Sequence, residues 1–167
     1  MLARALALAG GLAGAAGFSQ FPEFSQQYVQ RLGGAVDELG RFVAEFDADA
    51  AEVGLTRAAA LADLGQGSAI GAQRAESMAD VIVRYQRLSA DLATLRDAGP
   101  FTRAYRMRSF ADAEIAEAAW EEFKPAVPLT MAGGIFAGAG FLAGLAVIGG
   151  ALALLRAPFR RRRARAA

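Results

Sequence analysis

The longest break in the polar pattern lies near the C-terminal end. Between Lys124 and Arg156 run 31 residues without a charge, and Thr130 is the only polar side chain among them. A membrane-crossing helix needs roughly 20 such residues. Pro128 suits the first turn of a helix, where its missing N–H costs little. From Pro128 to Leu155 an α-helix would be about 42 Å long, so it must tilt or begin outside the hydrocarbon. A second apolar stretch, Ala5 to Phe18, follows Arg4. It is rich in Ala and Gly and close to the lower length limit for a span. A secretory signal peptide would look similar, with Ala13-Gly-Ala15 as the cleavage site. The single Arg ahead of it favours a retained helix. On either reading the middle of the chain leaves the cytoplasm.

The middle is helical throughout. Tyr28, Leu32, Ala35, Leu39, Phe42 and Phe46 recur at alternating steps of four and three, the heptad seam of a packed, coiled-coil-like helix. Met78, Val81, Tyr85, Leu88, Leu92 and Leu95 form a second seam of similar length. Between them a short helix is predicted from Thr56 to Leu64, with Thr56 as N-cap and Gly65-Gln-Gly67-Ser68 as terminator. Phe21-Pro22-Glu23 is expected to end the first apolar helix, and Asp97-Ala-Gly99-Pro100 the second seam. A last helix is expected near Ser109, where Ser109-Phe-Ala-Asp112 resembles a capping box. Its stripe is Ile115, Ala119 and Phe123, and Trp120 and Phe123 suit headgroup level. The predicted fold is an all-α membrane protein, in which two transmembrane helices flank an extracytoplasmic antiparallel helical hairpin. The segments are an N-terminal span at 1–20, the hairpin domain at 21–124, a second span at 125–156 and an Arg-rich tail at 157–167.

Charge sharpens the topology. The chain carries 18 Lys+Arg against 17 Asp+Glu, a net +1, yet the two signs are segregated. Arg4 together with Arg156, Arg160, Arg161, Arg162, Arg163 and Arg165 places +7 at the ends, while residues 19–126 hold 11 basic and 17 acidic residues, or −6. Basic ends flanking an acidic middle predict both termini in the cytoplasm and the centre in the periplasm. The terminal arginines are expected to fix topology and rest on anionic lipid rather than bind nucleic acid.

Composition removes much chemistry. With no Cys and no His, the chain has no disulfide, thiolate nucleophile or zinc knuckle, and it lacks the usual general base. Ser–Lys catalysis would have to use Lys124, the sole lysine. Glu45, Asp47, Asp49 and Glu52 lack the spacing of a calcium loop and read as a solvated helix end. Arg103, Arg106 and Arg108 beside Phe101 and Tyr105 make a small basic–aromatic patch; it could touch lipid phosphates or an acidic partner, but pairing with the acidic middle is the plainer expectation. Gly138-Ala-Gly140-Phe-Leu-Ala-Gly144 departs by one residue from a dinucleotide-binding loop, and no strand precedes it.

The glycines make better sense as packing residues. Gly10 and Gly14, Gly134 and Gly138, and Gly140 and Gly144 are three small-xxx-small pairs, which let helix backbones approach closely. They would join the two spans to each other, to further copies or to another membrane protein. On that basis Gly138→Leu and Gly140→Leu are expected to weaken association.

Two further stretches are distinctive: Phe18-Ser-Gln-Phe-Pro-Glu-Phe-Ser-Gln-Gln-Tyr-Val-Gln-Arg-Leu and Phe123-Lys-Pro-Ala-Val-Pro-Leu-Thr. With them the chain resembles, over nearly its whole length, a family of small proteobacterial inner-membrane proteins catalogued as a domain of unknown function. The resemblance implies a bacterial inner-membrane protein with a periplasmic middle, and it brings no activity, cofactor or catalytic residue to carry over. With no His, no Cys and no ionisable residue inside the spans, the expected function is a non-catalytic structural or accessory role. Its partners would be the lipid bilayer and a homo-oligomer or larger membrane-protein complex, with no nucleic acid and no cofactor. The alternative is a subunit of a homo-oligomeric channel or transport component. Spans with no ionisable residue between Ala5 and Phe18 or between Pro125 and Leu155 speak against that alternative.

Overall fold

The computed structural model describes residues 1–125 and 129–164, with side chains through Leu155. Every regular element among these residues is helical: α1 (Leu2–Ser19), α2 (Phe21–Glu52), α3 (Arg57–Gly67), α4 (Ala69–Leu95), α5 (Pro100–Tyr105), a 3₁₀ turn (Met107–Phe110), α6 (Ala113–Glu121) and α7 (Met131–Ala164). They divide into two compact units, one of Met1–Ser25 with Phe123–Ala167 and one of Gln26–Glu122. Leu2–Glu52 and Met131–Leu155 are long and apolar enough to cross a membrane.

The first unit is built on α1 and α7. Residue numbers in contact rise along α1 as they fall along α7: Gly10 meets Gly144 and Ile148, Gly14 meets Gly140, and Phe21 stacks near Phe136. The two helices are therefore antiparallel. Their outward faces are apolar, with Leu12, Leu142 and Val147 each about two-thirds exposed. As expected, α1 ends at Ser19, just before Phe21-Pro22-Glu23, but that tripeptide opens α2 with hardly a break. The break is a single residue, Gln20, whose backbone stays near helical values, and Phe24 N–H still bonds Gln20 C=O at 3.0 Å. Pro22 falls in the first turn of α2, where no intrahelical N–H is required. The buried Ser19 and Ser25 hydroxyls donate to Ala16 O and Pro22 O, each at 2.8 Å, so neither is left unpaired. Thr130 caps α7, its hydroxyl accepting from Gly133 N–H at 3.0 Å. Pro128, read above as a first-turn residue, lies outside the described residues.

The second unit packs by side chains. Val43 of α2 with Met78 and Ile82 of α4 forms a buried cluster, and Phe46, Leu61, Val81 and Tyr85 close around it. On α2 the seam is Tyr28, Leu32, Ala35, Leu39, Val43, Phe46 and Ala50, with Val43 in place of the predicted Phe42. Its six steps cover 22 residues, a mean near 3.7, so the stripe follows a straight helix rather than a left-handed supercoil. Phe42 is consequently turned out and half exposed. The α4 seam is as expected, with Ile82 added.

Helix ends follow local chemistry. Thr56 caps α3 through Ala59 N–H, and α3 runs through Gly67, three residues beyond the predicted Leu64. Ser68 then caps α4 through Gly71 N–H at 3.1 Å. Gly71 is needed at that corner, because a Cβ there would sit 2.6 Å from Leu64 O. Gly54, at φ +74°, closes α2 in a Schellman pattern, with Leu55 N–H bonding Ala50 O and Gly54 N–H bonding Ala51 O. At α6 Asp112, not Ser109, is the cap: its carboxylate accepts from Ile115 N–H at 3.2 Å.

Candidate functional site

Among the described residues no cluster of three or more acidic side chains is placed to hold a metal ion. The site with the most developed geometry is the glycine seam of the first unit. The Gly14 and Gly140 backbones meet so closely that a Cβ on either would overlap the other's carbonyl oxygen. Gly10 and Gly144 repeat the arrangement one turn away, where a Cβ on Gly144 would meet Gly10 O. Such approach allows Cα–H···O contacts between backbones and wide van der Waals contact, the terms that join helices where lipid removes the hydrophobic drive. Phe18 covers Gly140, and a Cβ added there would lie 2.6 Å from that of Phe18. Gly11, absent from the predicted set, is buried as well, and its missing side chain makes room for the Phe141 ring and Leu145. Its signal was adjacency to Gly10, which widens the groove by a second row.

Of the six predicted packing glycines, the structure brings together Gly10, Gly14, Gly140 and Gly144. Gly134 and Gly138 meet nothing within 4 Å of an added Cβ. Helix geometry gives the reason: two residues turn an α-helix by about 200°, so Gly138 faces away from Gly140. The exposed positions of α7 recur in adjacent pairs every four residues, from Gly134-Ile135 and Gly138-Ala139 to Leu142-Ala143 and Ala146-Val147. Two distinct faces thus carry the glycines, one filled by α1 and one open. Of the tail arginines, Arg156, Arg160, Arg161, Arg162 and Arg163 lie on the helical backbone of α7, with their side chains outside the description. Arg165 lies outside the described residues.

In the second unit the ordering residue is Asp112. It is 6% exposed. Besides capping α6 it accepts from Arg87 at 2.8 Å and Arg84 at 3.2 Å, and Arg84 also pairs with Glu114. The hydrogen bond to Glu114 holds the Arg84 guanidinium above its ordinary value. Tyr28, fully buried, stacks on Phe110 with ring centroids 4.6 Å apart, and burial pushes its hydroxyl up. Arg57 reaches Asp47 with two donors, Nε at 2.6 Å to Oδ1 and Nη2 to Oδ2. That fork holds the Asp47 carboxyl below its ordinary value. One member of the acidic run at 45–52 is therefore a clasp between α2 and α3.

With this geometry in hand, the chain can be set beside known families. Residues 2–161 match the family described as protein of unknown function, DUF2937. The chain belongs to that family. Neither the curated proteins nor the solved structures contain a match. The match spans both units.

Proposed function

We propose that this DUF2937 protein is a non-catalytic structural or accessory protein of the bacterial inner membrane, acting by helix–helix and periplasmic protein–protein association. In this reading α1 and α7 are its two transmembrane helices. Both termini are cytoplasmic, and the region between them is an antiparallel helical hairpin in the periplasm. The observation that carries the reading is the pair of glycine faces on α7. One is occupied by α1 at backbone contact, and the other, at Gly134 and Gly138, is left open. The exposed apolar faces of both helices and the antiparallel arrangement, which brings Arg4 to the side of the Arg-rich tail, support the topology. Spans without ionisable residues favour association over conduction.

The two faces separate in an experiment. Gly134→Leu with Gly138→Leu should leave the monomer folded yet reduce crosslinking in native membranes and co-purification after mild-detergent extraction. Unchanged crosslinking and co-purification in that double variant would refute association through this face.

A further inference from the structure

The α5–3₁₀ segment carries cations that the fold does not use. Arg103 is consumed internally: its guanidinium donates to Leu95 O at 3.2 Å and Arg96 O at 3.3 Å, covering the last carbonyls of α4. Arg106 and Arg108 form no ion pair among the described residues, although residues 19–126 are acidic by six charges. Between and beside them stand Tyr105 at 92% exposure and Met107 at 56%. Four consecutive residues, Tyr105 to Arg108, are thus exposed, alternating apolar body and positive head beside a shallow open hollow of about 510 Å³. Leaving two arginines unpaired in an acidic domain, next to an aromatic ring in water, stabilises nothing within the unit. It matches what an anionic lipid surface binds: guanidinium on phosphate, with Tyr and Met at the level of the glycerol.

We propose that Tyr105, Arg106, Met107 and Arg108 form a docking surface for anionic phospholipid headgroups. The proposal rests on the membrane-spanning reading above, since helices at both ends of the segment tether it to one bilayer and raise its effective concentration there. Each arginine near an anionic surface adds attraction that salt weakens.

The chain has no cysteine, so Thr102→Cys gives a unique, exposed labelling position beside the surface. The full-length protein carrying a fluorophore there is reconstituted into vesicles of phosphatidylcholine alone or with 30% phosphatidylglycerol. Each set contains a trace of lipid bearing a headgroup quencher. Quenching is expected to be at least three-fold greater with phosphatidylglycerol, to fall with salt, and to drop to the neutral-lipid level in Arg106→Glu/Arg108→Glu. Helix content by circular dichroism checks that this variant is folded. Equal quenching in the two lipids, or quenching unchanged by the charge reversal, overturns the proposal. So does charge-independent quenching with crosslinking from position 102 to protein, which would assign the surface to an acidic protein partner. Alkaline carbonate extraction separates the two readings: a chain that washes out overturns both, whereas a retained, unquenched chain overturns the headgroup surface alone.

Discussion

The two units of this chain hold helices together by opposite means. In the first, α1 and α7 meet where side chains are missing, and the backbones of Gly10, Gly14, Gly140 and Gly144 are the contact. In the second, α2, α3 and α4 meet through large side chains, with Val43, Met78 and Ile82 at the centre and Asp112 pinning two arginines at one end. Water favours the second strategy because burying apolar area drives it. On the proposed membrane-spanning reading of α1 and α7, lipid tails give no such drive, so close approach and backbone contact take over. The same residue type therefore has opposite value in the two units. A helix-interior glycine is the adhesive at the α1–α7 seam and a weak point at Gly33 and Gly34 of α2.

Adding bulk at the seam should have the largest effect. Gly14→Leu forces a side chain into the Gly140 backbone and should cost about 3 kcal/mol or separate α1 from α7 outright. The loss would be read as a lowered unfolding midpoint in detergent and as exposure of α1 to proteolysis. Second is Asp112→Ala, which removes the α6 cap, leaves Arg87 without its partner and leaves Arg84 with Glu114 alone. It should cost about 2–3 kcal/mol, and Asp112→Asn should recover the cap portion only. The comparison then changes sign. Gly33 and Gly34, in the interior of α2, have open space where a Cβ would go. Ala at either should stabilise by about 0.5–1 kcal/mol in thermal melts.

The smallest effect is expected at the Asp47–Arg57 clasp. Its carboxyl is lowered in the folded state. Its stabilising share is thus fully present above the ordinary carboxylate range and is lost as pH falls through the lowered folded value. Asp47→Asn should slightly flatten the acid limb of a stability–pH curve and leave neutral stability nearly unchanged, because the pair is exposed to solvent.

Local patterns were legible in the sequence, and pairings were not. The α4 seam, the Thr56 cap and the stop before Gly99-Pro100 each depend on residues within a turn or two. The α2 seam slipped to Val43 because a seven-residue rule outruns the true turn of a straight helix by Phe42. Gly134-xxx-Gly138 and Gly140-xxx-Gly144 are identical as motifs. Only the register with α1, more than a hundred residues away, tells the filled face from the open one. Asp112 showed as part of a helix start, but its partners Arg84 and Arg87 are 28 and 25 residues distant. No spacing rule selects them from the other arginines.

The seam between the first and last helices also sets an order of events during synthesis. Gly10 and its partner Gly144 are 134 residues apart in the chain. At 5–20 residues per second Gly144 is added ~7–27 s after Gly10. Throughout that interval α1 presents an uncovered glycine groove, while the helices between can already fold among themselves. The contact that closes the first unit is the last to become available. A ribosome that stalls before α7 would release a chain whose first helix is free to pair with the wrong partner.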